Sequence, residues 1–122
     1  MVTLEPVLPS GTVTFLFTDI ESSSSRWEAD AVEMRAVLAR HDDLLSSVIE
    51  KSGGFVFKHL GDGLCAAFPS APAALKAAID CQARLAAENW GGDDRLRVRM
   101  GLHTGEATQT GRDQCRWQPR PR

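Results

Sequence analysis

Phe55-Val-Phe-Lys-His-Leu-Gly-Asp-Gly-Leu-Cys-Ala-Ala-Phe68 holds two short β-prone runs, 55–59 and 64–68, on either side of Gly61-Asp62-Gly63. A Gly-Asp-Gly turn reaches the positive φ angles of a tight hairpin, so the runs are expected to pair antiparallel. On the N-terminal side, Ser52-Gly53-Gly54 offers a left-handed helix stop. Before it Trp27, Ala31, Met34, Leu38, Leu45, Val48 and Ile49 recur at the spacings of one amphipathic helix. Serines 22–25 supply N-caps for that helix. Ahead of them Val13-Thr-Phe-Leu-Phe-Thr18 follows Pro9-Ser10-Gly11 and ends at Asp19, as a largely buried strand does.

On the C-terminal side, Ser70 and Pro72 open a second helix whose apolar stripe reads Leu75, Ala78, Ile79, Gln82, Leu85 and Ala86. Residues 89–94 read as a loop. Leu96, Val98 and Met100 then alternate with Arg97 and Arg99 as in a half-buried strand that reaches His103. The order β-α-β-β-α-β predicts an α/β (α+β) fold of ferredoxin-like topology, with a four-stranded antiparallel/mixed sheet and two helices on one face. Right-handed crossovers place the first and second strands parallel with the third between them. Asp19, at the end of the first strand, is then expected to meet Asp62 in the hairpin.

With 122 residues, 43% hydrophobic and 25% charged, the chain has the size and composition of one globular domain. No apolar run approaches membrane-spanning length, and no basic segment leads into an apolar one at the N-terminus, so a soluble, cytoplasmic protein without membrane contact is expected. Charge is split: residues 1–111 carry a net −5 and residues 112–122 a net +3. The acidic body argues against nucleic acid as a partner. Cys65, Cys81 and Cys115 show no metal-ligand spacing, and Cys65 and Cys81 sit among apolar neighbours as packing residues.

Two aspartates at one sheet edge repel each other unless a cation lies between them. Oxygen donors in that number suit Mg2+ or Mn2+, which keep waters and draw further ligands from a phosphate. The ordinary alternative is a helix-start residue at Asp19 and a turn residue at Asp62. Downstream of Asp19, the start of a long helix offers free N–H groups to a polyphosphate, and the serine cluster reads equally as redundant caps.

Thr14-Phe-Leu-Phe-Thr-Asp-Ile-Glu-Ser-Ser23, Phe57-Lys-His-Leu-Gly-Asp-Gly63 and Arg99-Met-Gly-Leu-His-Thr-Gly-Glu106, in that order, resemble the catalytic domain of class III nucleotidyl cyclases over residues 10–112. The resemblance implies that Asp19 and Asp62 are the catalytic metal-binding aspartates for two Mg2+ or Mn2+ ions, with Ile20 in the metal set. It implies that the backbone of Ile20, Glu21, Ser22 and Ser23 contacts the triphosphate of ATP or GTP. Lys58 matches the lysine that reads the purine ring, in the active site formed with a partner subunit. The implied product is a 3',5'-cyclic nucleotide, made for signal transduction. Without the resemblance Lys58 reads as a solvated strand lysine; His59 and His103 read as polar strand residues outside the site, and Gly105-Glu106 as a structural turn.

Beyond Gly111 the likeness stops, and Arg112-Asp-Gln-Cys-Arg-Trp-Gln-Pro-Arg-Pro-Arg122 shows no periodicity. The expected division is an N-terminal extension over 1–10, a partial cyclase domain over 11–111 and a disordered basic tail over 112–122. That tail is read as the product of a frameshift or premature end, with an evolved basic tail as the alternative. The family's Asn and Arg, four residues apart on a later helix, are missing: no Asn follows Asn89. A chain that binds metal-nucleotide but is weakly active or inactive alone is therefore expected, as a homodimer or as a heterodimer with a complete cyclase domain, the latter able to restore one composite site. The alternatives are a non-catalytic dimerisation or regulatory module, and a ferredoxin-like domain without a nucleotide role. A diguanylate cyclase palm is disfavoured because no Gly-Gly-Asp-Glu-Phe string occurs.

Overall fold

The hairpin forms at the Gly-Asp-Gly triplet, with Gly61 taking the positive φ, 58°. A computed structural model describes residues 11–91, 95–109 and 117–119. Its elements are β1 (Gly11–Ile20), α1 (Ser23–Ala29), α2 (Ala31–Lys51), β2 (Phe55–Leu60), β3 (Gly63–Phe68), α3 (Ala71–Ala87), β4 (Val98–Gln109) and β5 (Trp117–Pro119). The sheet order is β2-β3-β1-β4-β5. β3 pairs antiparallel with both β1 and β2, so β1 and β2 run parallel with β3 between them, the expected ferredoxin-like arrangement. β4 pairs antiparallel along the whole of β1, from Gly11 opposite Ala107 to Ile20 opposite Val98.

Period-two alternation divides β1 between two cores. Leu16 and Ile20 pack with Leu64, Ala66 and Phe68 of β3 beneath the helices, whereas Val13 and Phe15 join Phe57, Cys65 and Ala67 on the opposite face. α2 seals the first core with Met34, Val37, Leu44, Leu45, Val48 and Ile49. Each such large side chain contributes roughly 1.5–3 kcal/mol when fully buried. Ser70 caps α3 by accepting from the Ala73 N–H at 3.3 Å, and Gly53, at φ 84°, follows the end of α2.

Four expectations are corrected. The segment read as one helix is two, because Asp30 takes an extended conformation and its Oδ1 accepts from the Glu33 N–H at 3.0 Å, capping α2 afresh. The chain therefore has three helices rather than two, and α1, which buries no residue, packs against α2 while α2 and α3 cover the sheet. The α3 stripe is rotated: Ala74, Ala77, Ala78, Cys81 and Leu85 are buried, while Leu75 and Ile79 are 52% and 59% exposed. Alanines let the helix backbone approach the sheet closely, and Gln82 donates from Nε2 to the Val98 carbonyl at 2.8 Å. Gly105 and Glu106 form no turn, since β4 runs through them opposite Val13 and Thr12. Within the stretch expected to be disordered, Trp117–Pro119 pairs with Ala107–Gln109, because an edge strand offers open backbone donors and acceptors. The remainder of that stretch, Cys115 included, and the 1–10 extension lie outside the described residues.

Candidate functional site

Asp19 occupies the penultimate position of β1, and the packing of Gly63 sets what lies beside it. A Cβ on Gly63 would stand 1.9 Å from the Thr18 carbonyl oxygen and 3.4 Å from the Asp19 Cα, so only glycine admits this approach. The Thr18 hydroxyl oxygen accepts from the Leu64 N–H at 3.1 Å and ties β3 to β1 at the same level. The hairpin tip, with Asp62 next to Gly63, is thereby seated at the C-terminal end of β1.

Register adds a residue that the sequence reading left out. Asp19 lies opposite Arg99 in the β1–β4 ladder. Arg99 donates from Nε and Nη2 to the two Asp19 carboxylate oxygens at 2.8 and 3.0 Å. The hydrogen bond to Asp19 and its charge raise the Arg99 pKa above its ordinary value, and Glu21 and Asp62 add to the effect. Asp19 is the carboxylate in direct contact with the guanidinium, and Glu21 and Asp62 act on it through their charge alone. The alternation of Arg97 and Arg99 in the sequence marks exposed strand positions, but their partner across 80 residues is a matter of register.

The stretch after Asp19 is built differently from the expected long-helix terminus. Ile20 is buried, 1% exposed, with its side chain in the core. The Glu21 N–H donates to the Arg97 carbonyl at 2.8 Å and so is already engaged. Ser22 takes a left-handed conformation, φ 60° and ψ 32°, without a side-chain cap bond. Ser23 opens the seven-residue α1, whose first N–H groups have no partner inside the helix.

Lys58 stands apart from this group. It is exposed on β2, two strands from Asp19, opposite Cys65 and beside a bulge between Val56 and Lys58. Burial pushes the Cys65 thiol pKa up, and the nearby Lys58 charge partly offsets this. His59 and His103 are exposed strand residues. Among the described residues no three His, Cys, Asp or Glu side chains converge as a metal cluster. The carboxylates of Asp19 and Asp62 are hard oxygen donors, the type that suits a cation that keeps its waters and takes phosphate ligands.

Residues 6–117 match the family model of the adenylate and guanylate cyclase catalytic domain. An adenylate cyclase of Podospora anserina is 32% identical over 117 residues, covering 80% of this chain and 6% of that protein. An adenylate cyclase of Trypanosoma brucei, solved in its monomeric state, superposes with a TM-score of 0.83 at 25% identity, over 96% of this chain and 66% of that one. The guanylate cyclase domain of a Catenaria anguillulae protein, solved with GTP, superposes with a TM-score of 0.73 at 18% identity, over 80% of this chain and 58% of that one. The chain therefore spans a small fraction of the curated adenylate cyclase and about two thirds of the trypanosome structure. No helix among the described residues is long and apolar enough to cross a membrane. With three motifs in order, a matching sheet topology and a family match over most of its length, the chain belongs to the class III adenylate and guanylate cyclase catalytic-domain family.

Proposed function

We propose that the chain is the N-terminal part of a nucleotidyl cyclase domain that holds a divalent cation and a nucleoside triphosphate at the edge formed by Asp19 and Asp62. The observation that supports this reading is the seating of Gly63 on the Thr18 carbonyl, because it sets the residue after Asp62 against the backbone beside Asp19. Asp19, Asp62 and the Ile20 carbonyl would hold Mg2+ or Mn2+. Bound there, two such cations lower the pKa of the ribose 3'-hydroxyl, polarise the α-phosphate and neutralise the leaving pyrophosphate. Ser22 and Ser23 direct backbone N–H groups toward the phosphates, and Lys58, on its separate strand, serves the base in a site shared with a second subunit.

The reaction read from this is ATP or GTP to 3',5'-cyclic nucleotide and pyrophosphate. These 122 residues contain no Asn after Asn89. The pair that orients the ribose and stabilises the transition state lies outside these residues, and a heterodimer with a complete domain would supply it, whereas a homodimer of these residues would not. Loss of an arginine acting on transferred-phosphoryl charge lowers a rate on the order of 10³-fold or more. A purely regulatory module is the second reading, favoured by that same missing pair. Mn2+ titration of the wild type and Asp62→Asn separates the two. Binding that is lost in Asp62→Asn with an unchanged fold supports the catalytic lineage of the site, and the absence of binding in the wild type overturns it. In a cyclase assay with Mn2+, the isolated chain is expected to show negligible turnover, and activity near 1 per second would contradict the assigned need for a partner.

A further inference from the structure

Resting on the metal reading above, one feature of the site works against it: Asp19 already has a cation. Arg99 grips both carboxylate oxygens in a two-pronged geometry, the strongest arrangement open to this pair. The ladder holds it there, with Thr18 opposite Met100 on one side and Ile20 opposite Val98 on the other. The Glu21 N–H bond to the Arg97 carbonyl continues the β1–β4 pairing past the strand end. Both side chains remain open to solvent, Arg99 at 69% and Asp19 at 47% exposure, so the pair is free to part without unpacking a core.

A divalent cation drawing on Asp19 meets two obstacles. It must take carboxylate lone pairs that the guanidinium occupies, and it must approach a like charge at close range. We infer that Arg99 is an internal counter-ion that competes with a divalent cation for Asp19, weakening the site's hold on a lone cation and favouring one that arrives with its own anion. The acidic edge, Asp19 and Asp62 with Glu21 nearby, thereby has one of its charges offset while no substrate is present. Arg99 is a positioning residue in this role, since it acts through Asp19.

The sign of the expected effect is unusual for a residue in an active site, because removing Arg99 strengthens metal binding. In the full chain without nucleotide, Arg99→Gln is expected to bind Mn2+ about fivefold more tightly than the wild type, the factor matching the upper strength of an exposed ion pair. Electron paramagnetic resonance of free Mn2+ provides the readout, with urea unfolding as the check on folding. Arg99→Lys keeps a charge without the two-pronged fork and should fall between the two. If Arg99→Gln does not fold, the gain in Arg99→Lys decides the matter. Equal or weaker Mn2+ affinity in the folded variants, with wild-type binding that Asp62→Asn abolishes, overturns the competition and leaves the metal site standing. No Mn2+ binding to either wild type or variants overturns the metal site and the competition with it.

Discussion

On the helix-covered face of the sheet, β1 contributes Leu16 and Ile20, at most 1% exposed, to a core closed by α2 and α3. On the other face the same strand passes from Val13 and Phe15, equally buried, to Phe17, 40% exposed, and then to Asp19 in its ion pair with Arg99. Alternation along one strand thus separates stability from chemistry. The first face is buried from Thr14 through Leu16 and Thr18 to Ile20, whereas the second is apolar at one end and charged at the other. Phe15 marks the apolar end, set edge-on to Phe57 with centroids 5.9 Å apart. Substitutions on the two faces should therefore have separable consequences.

The largest expected effect lies on the covered face. Phe68 is fully buried, and its ring fills the space beside Gly54, where a Cβ would come within 2.4 Å of it. Phe68→Ala is expected to lower stability by about 3–5 kcal/mol in urea unfolding. A loss below about 1 kcal/mol would mean that the helix layer is not what holds the domain together.

Gly63 is where the two faces depend on each other, so its substitution should register on both. A methyl group there collides with the Thr18 backbone, which has no flexible end to swing aside. Gly63→Ala is expected to cost about 1–3 kcal/mol as overpacking, and to weaken Mn2+ binding because Asp62 shifts away from Asp19. Loss of stability with Mn2+ affinity unchanged would separate the hairpin seating from the site.

The strand order, and the positions of Asp19 near the end of β1 and of Asp62 in the hairpin, were legible because they rest on local signals: β-prone runs, a Gly-Asp-Gly turn and helix stops. The break at Asp30 was also local, since Asp30 and Glu33 stand at cap spacing, but the longer apolar periodicity obscured it. In α3 the larger residues misled. An alanine-rich helix has little hydrophobic contrast, and close packing selected Ala74, Ala77 and Ala78 over Leu75 and Ile79. Arg99 could not be read as a partner of Asp19, because the register of β1 against β4 is set by the whole ladder rather than by either strand alone.

The smallest effect compares the two faces through their cysteines. Cys81 lies on the buried side of α3, and burial, with some help from Asp80 and against Arg84, pushes its thiol pKa from about 9 up to about 11. Cys65, on the helix-free face, is also raised by burial but has the Lys58 charge acting the other way. For such a thiol the unfolded chain releases its proton first, so between pH 9 and 11 the native state holds more protons. The contribution is full below about pH 9 and is lost as the pH rises toward the native value, with a slope of at most about 1.4 kcal/mol per pH unit. Urea midpoints followed over that range in a Cys115→Ser background should fall with pH. Cys81→Ala should flatten the fall more than Cys65→Ala does, because Lys58 eases thiolate formation only on the open face. Equal flattening by the two substitutions would show that Lys58 does not distinguish the faces.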